Sequence, residues 1–425
     1  WIGPDLTNPD VLLSEFRQRH YGVNFVGSFA ISNNLLSSEV TLQLSERQRV
    51  AVMQLSSQPS GNYDELTGEP GHTYGGDGSA VLLDFNASAF QDVGLVGNAP
   101  TFGVVVEEIY DTTLPVFIGA EIHYGFGYVR LLMSEIVDVT PNSLFNLTKI
   151  FIVDQTGERD EPSAVCLEGA FFNTTDDSNE IFVTLTENQR IAALLISGVP
   201  GGDGTEGKLD AAAPCMRDMA GNLNPSDTML NLSMYEIPDL EAPVIQSVII
   251  HYESGIVQVH LSEKILESYW HMGNLTISNN ANVTDENDQL TNIQLVDVNT
   301  SATIIAVFAS SSEVTAGQRS AHLNFSLSES QRVRAIALSS TPGGDGSAAF
   351  LQAPPGSFTD VSLNVNVKFP KTDQWRTGVA PKTMIEHPDQ IAPEIIMAVL
   401  DFGASPSTLI LVHSEFIDQT PSSKI

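Results

Sequence analysis

The side chains best suited to chemistry in this sequence include asparagines in the tripeptide Asn-x-Ser/Thr, the acceptor sequence for N-linked glycans. The tripeptide occurs eight times without an intervening proline, at Asn86, Asn146, Asn173, Asn231, Asn274, Asn282, Asn299 and Asn324. Asn324 lies between Leu323 and Phe325 in an alternating strand pattern, so its side chain should point away from the core. We therefore predict surface N-glycans, with chance recurrence of a short tripeptide as the alternative.

Aspartates recur at predicted connectors and in glycine-rich turns. Asp111, Asp239 and Asp389 occupy the connectors, whereas Asp203 and Asp345 belong to Gly-Gly-Asp-Gly turns. Carboxylate oxygens are the ligands that Ca²⁺ prefers, which makes the three connector aspartates calcium candidates. The competing interpretation is that these acids cap turns and accept hydrogen bonds from their own backbone. We favour that interpretation and expect no resident metal or other cofactor.

Two cysteines, Cys166 and Cys215, fall within one predicted module, without a C-x-x-C or histidine-rich spacing around them. This arrangement favours a disulfide formed in an oxidising compartment over a metal site. The alternative is a pair of buried free thiols.

Sequence motifs of catalysis are missing, which predicts a protein that is not an enzyme. The sequence has no H-E-x-x-H, no G-x-S-x-G, no P-loop and no Rossmann glycine fingerprint. Its 52 acidic and 19 basic residues give a formal charge of −33, which argues against a nucleic-acid partner. No stretch approaches the roughly 20 consecutive apolar residues of a membrane-spanning helix.

The elements that carry these residues are best seen in an internal repeat. Related segments begin at Val40, Ile181 and Leu323, and each opens with the period-two alternation of a half-buried strand. Each strand is followed by S/T-x-x-Q, a capping box that predicts the start of a short helix. The pairs are Ser45 and Gln48, Thr186 and Gln189, and Ser328 and Gln331. A glycine-rich turn then ends each helix.

A second repeat, beginning at Leu114, Ala242 and Ala392, has two alternating apolar runs around a turn and ends in Ser-Glu. It predicts an opening β-hairpin for each module. Short strands with regular turns predict an all-β fold of tandem Ig-like antiparallel β-sandwich modules, each with one short helix. The predicted modules are residues 1–110, which lack an opening hairpin, residues 111–240, residues 241–391, and residues 392–425, which form only an opening hairpin.

The repeats resemble a known family. Ser-Glu at the hairpin ends (Ser134-Glu135, Ser262-Glu263, Ser414-Glu415) and the closing segment from Asp218 to Asn222 are similar to the bacterial Ig-like repeats of surface-layer and adhesin proteins, which also occur in microalgal surface proteins. The resemblance implies an extracellular or cell-surface location. The closing motif weakens to Asp92 with Gly97-Asn98 in the first module and to Asp360 in the third, so we expect no ligand shared by that motif.

The two ends of the chain form complementary parts of one module. We predict that the hairpin in residues 392–425 completes residues 1–110 of the next molecule, through Ile395, Ile396, Leu400, Leu409 and Leu411. Such heterologous contacts propagate as fibres. The predicted function is therefore a structural glycoprotein of an extracellular filament, a head-to-tail homopolymer. The alternatives are a cell-surface adhesin with a glycan- or protein-binding loop, and a fragment of a longer tandem chain.

Overall fold

The computed structural model describes residues 2–3, 23–30, 38–63, 70–154, 159–225, 232–265, 271–279, 292–295, 321–370 and 382–418. The chain forms two compact units, Trp1–Pro238 and Asp239–Ile425, which are described separately below. The division falls in the connector between the second and third predicted modules.

The first unit contains two short α-helices and fifteen strands among its described residues. The helices are α1 (Glu46–Met53) and α2 (Glu187–Leu195). The strands are β1 (Ile2–Gly3), β2 (Phe29–Ala30), β3 (Leu42–Gln43), β4 (Gly61–Tyr63), β5 (Pro70–Tyr74), β6 (Leu82–Phe85), β7 (Thr101–Val105), β8 (Phe117–His123), β9 (Tyr128–Val137), β10 (Ile150–Val153), β11 (Val165–Cys166), β12 (Phe171–Phe172), β13 (Ser178–Thr184), β14 (Lys208–Ala211) and β15 (Leu232–Ile237). Eight of them form one sheet, in the order β11-β10-β14-β15-β8-β9-β13-β12.

The second unit contains one α-helix, α3 (Glu329–Ala337), one 3-10 helix (Met272–Asn274) and nine strands in its described part. The strands are β16 (Ile245–His251), β17 (Ile256–Leu261), β18 (Thr276–Ser278), β19 (Asn292–Gln294), β20 (Ala321–Ser326), β21 (Phe350–Gln352), β22 (Ile385–His387), β23 (Ile395–Asp401) and β24 (Thr408–His413). Sheets β20-β17-β16-β22 and β19-β18-β21 enclose one core, in which Val257 and Phe325 of the first sheet meet Ile277 and Leu351 of the second. The predicted all-β sandwich architecture is confirmed.

One strand pairing differs from the predicted antiparallel arrangement. The last strand of each complete module lies parallel to the first strand of its opening hairpin, β15 against β8 and β22 against β16. The sequence pattern of a strand does not specify which neighbouring strand it pairs with, so this parallel pairing was not predicted.

The three predicted hairpins share one register. Pairs β8–β9, β16–β17 and β23–β24 are antiparallel, and each has a bulge one residue after its first pair. In the first two, inward side chains are fully buried, as Ile122 and Ile250 are. The corresponding Leu400 of the hairpin β23–β24, called the C-terminal hairpin below, is 52% exposed.

Capping boxes begin all three helices, as predicted. At α2, Thr186 Oγ1 accepts from Gln189 N at 3.3 Å, and Gln189 Oε1 accepts from Thr186 N at 2.9 Å. These bonds satisfy two of the amide groups that a helix start leaves without intrahelical partners. Each helix is thereby held at the end of the strand that precedes it.

The glycine-rich turn after each helix requires its second glycine. A Cβ added at Gly202 would lie 2.2 Å from Ser197 O, and one at Gly344 would lie 2.1 Å from Ser339 O. Asp203 and Asp345 accept hydrogen bonds from the amides of Thr205 and Ser347, both at 2.8 Å. These two aspartates therefore make the turn bonds that favoured the structural interpretation.

Removing the side chain of an N-cap residue tests the contribution of the capping box to stability. We expect Thr186→Ala to lower the free energy of unfolding of the first unit by about 1 kcal/mol, because the amide of Gln189 loses its acceptor, the Thr186 hydroxyl. Thr186→Ser keeps the hydroxyl and should lie much nearer the parent protein. Chemical denaturation followed by circular dichroism measures the difference, and equal losses in the two variants would contradict it.

Candidate functional site

Three carboxylates from distant parts of the sequence meet in the first unit. Asp111 lies in the connector before β8, Glu135 lies near the C-terminal end of strand β9, and Asp218 lies in the loop after β14. One oxygen of each lies within 4.8 Å of the others. Glu135 and Asp218 are buried, and Asp111 is half-buried. Carboxylates this close repel one another unless a cation or a proton lies between them.

The loop that carries Asp218 is rigidly built. Asp218 Oδ1 accepts from Asn222 N and Oδ2 accepts from Asn222 Nδ2, both at 2.8 Å. Asn222 Nδ2 also donates to Asp111 O at 3.3 Å, which ties the loop to the connector. Asn224 Oδ1 accepts from two further loop amides, Cys215 N and Met216 N. The loop therefore presents Asp218 at a fixed position.

Arg49 on α1 joins this cluster from the preceding module. Its guanidinium forms an ion pair with Asp111 and another with Glu135 Oε2 at 2.9 Å, while Glu46 binds it from the same helix. Glu135 Oε1 is buried and has no hydrogen-bond partner among the described residues. Burial and the negative charge of Asp218 raise the pKa of Glu135 to about 7. Burial also raises the pKa of Asp218.

The second unit repeats the cluster with Asp239, Glu263 and Asp360, all three buried and within 4.8 Å of one another. The closing loop has the same bonds, because Asp360 Oδ1 accepts from Asn364 N at 2.7 Å and Oδ2 from Asn364 Nδ2 at 2.9 Å. Asn364 Nδ2 donates to Asp239 O at 3.0 Å. The closing motif of this module is thus as complete as the other, which corrects the expectation that it weakens to Asp360.

The C-terminal hairpin has two of the three positions. Arg332 on α3 pairs with Asp389 at 2.5 Å and with Glu415 Oε2 at 2.8 Å. Glu415 Oε1 is buried and has no hydrogen-bond partner among the described residues. The third carboxylate belongs in each complete module to the closing loop. In the first module that loop carries Asp92, whose Oδ1 accepts from Val96 N at 2.8 Å.

A large open groove occupies the first module. It has a volume of about 1840 Å³ and is lined by apolar side chains of β3, α1 and β6 and by several carboxylates. Among its lining residues are Leu42, Val52, Leu83, Phe90 and Asp92. We call this the apolar groove.

The predicted assembly residues are all exposed. Ile395, Ile396, Leu400, Leu409 and Leu411 have exposed fractions of 59%, 64%, 52%, 60% and 40%. On the complete hairpins the residues at the positions of Leu409 and Leu411 are at most 1% exposed. Val257 and Val259, for example, are 0% and 1% exposed. No described residue covers the corresponding face of the C-terminal hairpin.

Five of the eight predicted glycosylation sites lie in the described residues. Asn86, Asn173 and Asn274 are exposed, whereas Asn146 and Asn324 are half-buried. Asn324 pairs with Gln258 across the sheet, between the buried Leu323 and Phe325, so its side chain points outward. Asn231, Asn282 and Asn299 lie outside the described residues. Glycan attachment at all eight stays a prediction.

The predicted disulfide is not formed. Cys166 and Cys215 are both free thiols, the first half-buried and the second fully buried. Cys166 Sγ lies 3.5 Å from Thr148 O, within β11 and its neighbours, and burial raises the pKa of Cys215 to about 12. Both cysteines fall in one module, and shared module membership does not by itself make a disulfide pair.

Of the three calcium candidates from the sequence, Asp111 and Asp239 lie in complete carboxylate clusters, and Asp389 lies in a partial one. Sequence reasoning missed their partners Glu135, Glu263 and Glu415 as ligands, although their Ser-Glu context was recognised. It also missed the spacing D-x-x-x-N-x-N, shared by the loops that begin at Asp218 and Asp360. That spacing was the available signal.

Comparison with known proteins adds only a distant structural likeness. No protein-family model matches the sequence, and no curated protein matches it. Two solved structures of a marsupial T cell receptor show 11% and 12% sequence identity, with TM-scores of 0.16 and 0.14. The first match covers 78% of each chain, and the second covers 67% of this chain and 76% of the other. At these scores the two structures carry no argument about fold or function.

No helix in the described part of the chain has the length and hydrophobicity to cross a bilayer.

Arg49 should stabilise the junction between the first two modules. We expect Arg49→Gln to lower the free energy of unfolding of the first unit by about 1.5–3 kcal/mol, because Asp111 and Glu135 lose charge-assisted hydrogen bonds. Arg47→Gln, an exposed arginine on the same helix, is the matched control and should change stability by less than about 0.5 kcal/mol. Thermal and urea denaturation measure both, and a neutral Arg49→Gln would contradict the assignment.

Proposed function

We propose that this chain is a non-enzymatic structural protein whose copies join head to tail, the C-terminal hairpin of one copy entering the apolar groove of the next. One observation carries the proposal. The groove and the uncovered hairpin correspond to the two parts that are already combined in each complete module.

The first strand edge of the groove is β3. In the complete modules the equivalent strands, β13 and β20, pair antiparallel with the second hairpin strand, β9 or β17. Strand β3 pairs with β2 on one side, and no described strand pairs with its other side. Strand β24 has the length and the apolar pattern to occupy that side. Leu409 would then face Leu42, as Val257 faces Phe325.

The second edge is the segment that ends the first module. Val106 N donates to Val81 O at 3.0 Å, as Met234 N donates to Gly207 O at 3.1 Å. The equivalence makes residues 106–109 the counterpart of the last strand of a complete module. That strand lies parallel to the first hairpin strand, and in the first module no described strand holds the place. Ile109 is 96% exposed there. Strand β23 fits this edge.

The helix arginine supplies a third point of contact. Arg190 Nη1 donates to Tyr124 O at 3.2 Å, and Arg332 Nη1 donates to Tyr252 O at 2.9 Å. Both carbonyls lie at the end of the first hairpin strand of the same module. Arg49 has the same place on α1, and the matching carbonyl on the C-terminal hairpin is that of Phe402. A docked hairpin would receive this hydrogen bond from Arg49.

The hairpin and the groove also match at the next side chain. The phenols of Tyr124 and Tyr252 each donate at 2.8 Å to a half-buried glutamate side chain, Glu236 or Glu386. Phe402 has no hydroxyl to donate. The corresponding Glu108 takes its bond from Val81 N at 2.7 Å instead.

Hydrophobic burial supplies the main driving force. Each large aliphatic side chain moved from water into the groove contributes about 1.5–3 kcal/mol. Two new strand ladders add backbone hydrogen bonds, and the sum must exceed the cost of association. The formal charge of −33 opposes contact between copies, so assembly should be favoured by added salt.

In this proposal the filament lies outside the cell and bears N-glycans. Exposed sequons support this part, as does the resemblance of the Ser-Glu hairpins to repeats of surface proteins. A longer tandem chain, in which neighbouring sequence supplies both missing parts, is the alternative. A longer chain would make the same contacts within one polypeptide. The experiment must therefore ask whether the hairpin of one copy docks into the groove of a separate copy.

Complementation between two full-length variants asks that question. Leu409→Asp disables the hairpin, and Leu42→Asp disables the groove. We expect each variant to remain monomeric because a buried carboxylate opposes docking, whereas an equimolar mixture forms dimers through the one intact joint. Sedimentation velocity measures the species present, and electron microscopy measures particle length in the parent protein.

The matched controls place the same charge on the outward faces. Ile410→Asp corresponds to Arg130 and Gln258 of the other hairpins, and Thr41→Asp corresponds to Asn324. Both should polymerise like the parent chain. A mixture that stays monomeric, or control variants that lose assembly equally, would replace head-to-tail joining with the longer-chain alternative.

Glycosylation is tested on material from the native source. We expect enzymatic removal of N-glycans to lower the mass by several glycans, with Asn324 among the occupied sites, and to leave the fold intact because the described sequons are not in the core. Peptide mass spectrometry identifies the sites. Native protein with all eight asparagines unmodified would remove glycosylation from the proposal.

A further inference from the structure

A buried oxygen without a partner points to a ligand at the module junctions. Glu135 is 6% exposed, and its Oε1 has no hydrogen-bond donor among the described residues. An ionised oxygen in that position loses its hydration without compensation. Asp111 and Asp218 each bring one oxygen within 4.8 Å of an oxygen of Glu135, so this buried carboxylate lies among further acceptors.

The charges around Glu135 do not balance. Arg49 is shared between Glu46, Asp111 and Glu135. The bonds that the structure gives Asp218 come from the neutral amides of Asn222 and Ala220. Among the residues that the structure describes, one guanidinium therefore faces four carboxylates, and the excess negative charge is located where the three junction oxygens converge. A bound cation would remove it.

Recurrence of the arrangement argues against an accident of one loop. Asp239, Glu263 and Asp360 have the same three origins, namely connector, hairpin end and closing loop, and all three are buried. In both clusters an asparagine of the closing loop also donates to the backbone carbonyl of the connector aspartate. The chain thus builds the same acidic centre twice, from segments that meet only in the folded modules.

We propose that each cluster binds a divalent cation, Ca²⁺, between the connector, the hairpin end and the closing loop. The donors are oxygens alone, which suits hard cations and not Zn²⁺, whose usual ligands are histidine and cysteine. Three carboxylates from the protein favour Ca²⁺ over Mg²⁺, which retains most of its water and relies on one or two carboxylates. The cation joins each connector to the module that follows it.

The partial cluster at the C-terminal hairpin extends the inference, and this extension rests on the proposed function. Asp389 and Glu415 hold the connector and hairpin positions, and Glu415 Oε1 is buried and unpartnered among the described residues. Asp92 lines the apolar groove in a loop of the same kind. Docking would bring Asp92 of a second copy to the third position. The joint between copies would then also bind Ca²⁺.

Calcium titration of the full chain tests the internal sites. Isothermal titration calorimetry with CaCl₂ on the monomeric Leu409→Asp variant should give two sites, and MgCl₂ should bind at least tenfold more weakly. Glu135→Gln should remove one site and Glu263→Gln the other. Asp203→Asn, in the glycine-rich turn, is the control and should retain two. Calcium should raise the thermal midpoint of the parent variant and of this control.

Two outcomes would overturn the sites: no calcium binding at millimolar CaCl₂, or an unchanged stoichiometry in the Glu135→Gln and Glu263→Gln variants. Circular dichroism checks that each variant folds. If Glu135→Gln unfolds the first unit, Asp360→Asn in the second unit, with its own expected loss of one site, keeps the test decisive.

Assembly of the parent chain tests the extension. Chelation of calcium and Asp92→Asn should each shorten the polymers and weaken the joint at least tenfold. If complementation dimers form and neither chelation nor Asp92→Asn weakens assembly, the joint binds no calcium, but head-to-tail assembly is supported. If no dimers form, the proposed function fails, and the two internal sites are still decided by the titration.

Discussion

An arginine near the start of each short helix bonds to several separate segments of the chain. Arg332 donates to the carbonyl of Tyr252 in its own hairpin, and pairs with Glu329 of its own helix, with Asp389 of the connector, and with Glu415 of the following hairpin. With only 7% of its side chain exposed, it depends on all of these partners at once. Capping box, hairpin and connector must therefore all be in place for the junction to form.

This dependence makes neighbouring modules energetically coupled. Glu46 and Glu329 each accept an amide hydrogen bond from the residue after the next hairpin glutamate, Ile136 N at 2.9 Å and Phe416 N at 3.1 Å. The helix of one module thus fixes the end of the following hairpin through both backbone and side chain. In repeat proteins the interaction free energy between neighbouring modules adds to the stability of each module and raises the cooperativity of unfolding.

Local patterns predicted the elements, and the sites required tertiary structure. The capping boxes at Ser45, Thr186 and Ser328 and the three hairpins were visible in sequence because strand alternation and helix capping act over a few residues. The carboxylate clusters were only half visible. The connector aspartates stood out, but Glu135 and Asp218 join Asp111 through long-range strand pairing, which no local pattern specifies. Likewise, the presence of Cys166 and Cys215 in one module did not show whether they are bonded.

The residue that follows the first hairpin strand has a consequence for folding fidelity. A chain with several similar hairpins risks placing one of them in the wrong module during folding. Tyr124 and Tyr252 suit modules whose glutamate accepts a phenol, whereas Phe402 would leave Glu236 or Glu386 without that donor. A tyrosine hairpin in the first module would in turn meet Glu108 already bonded to Val81 N and Ser57. One hydroxyl group thereby discriminates among repeats that share register and hydrophobic pattern, and disfavours swapped pairings that burial alone would allow.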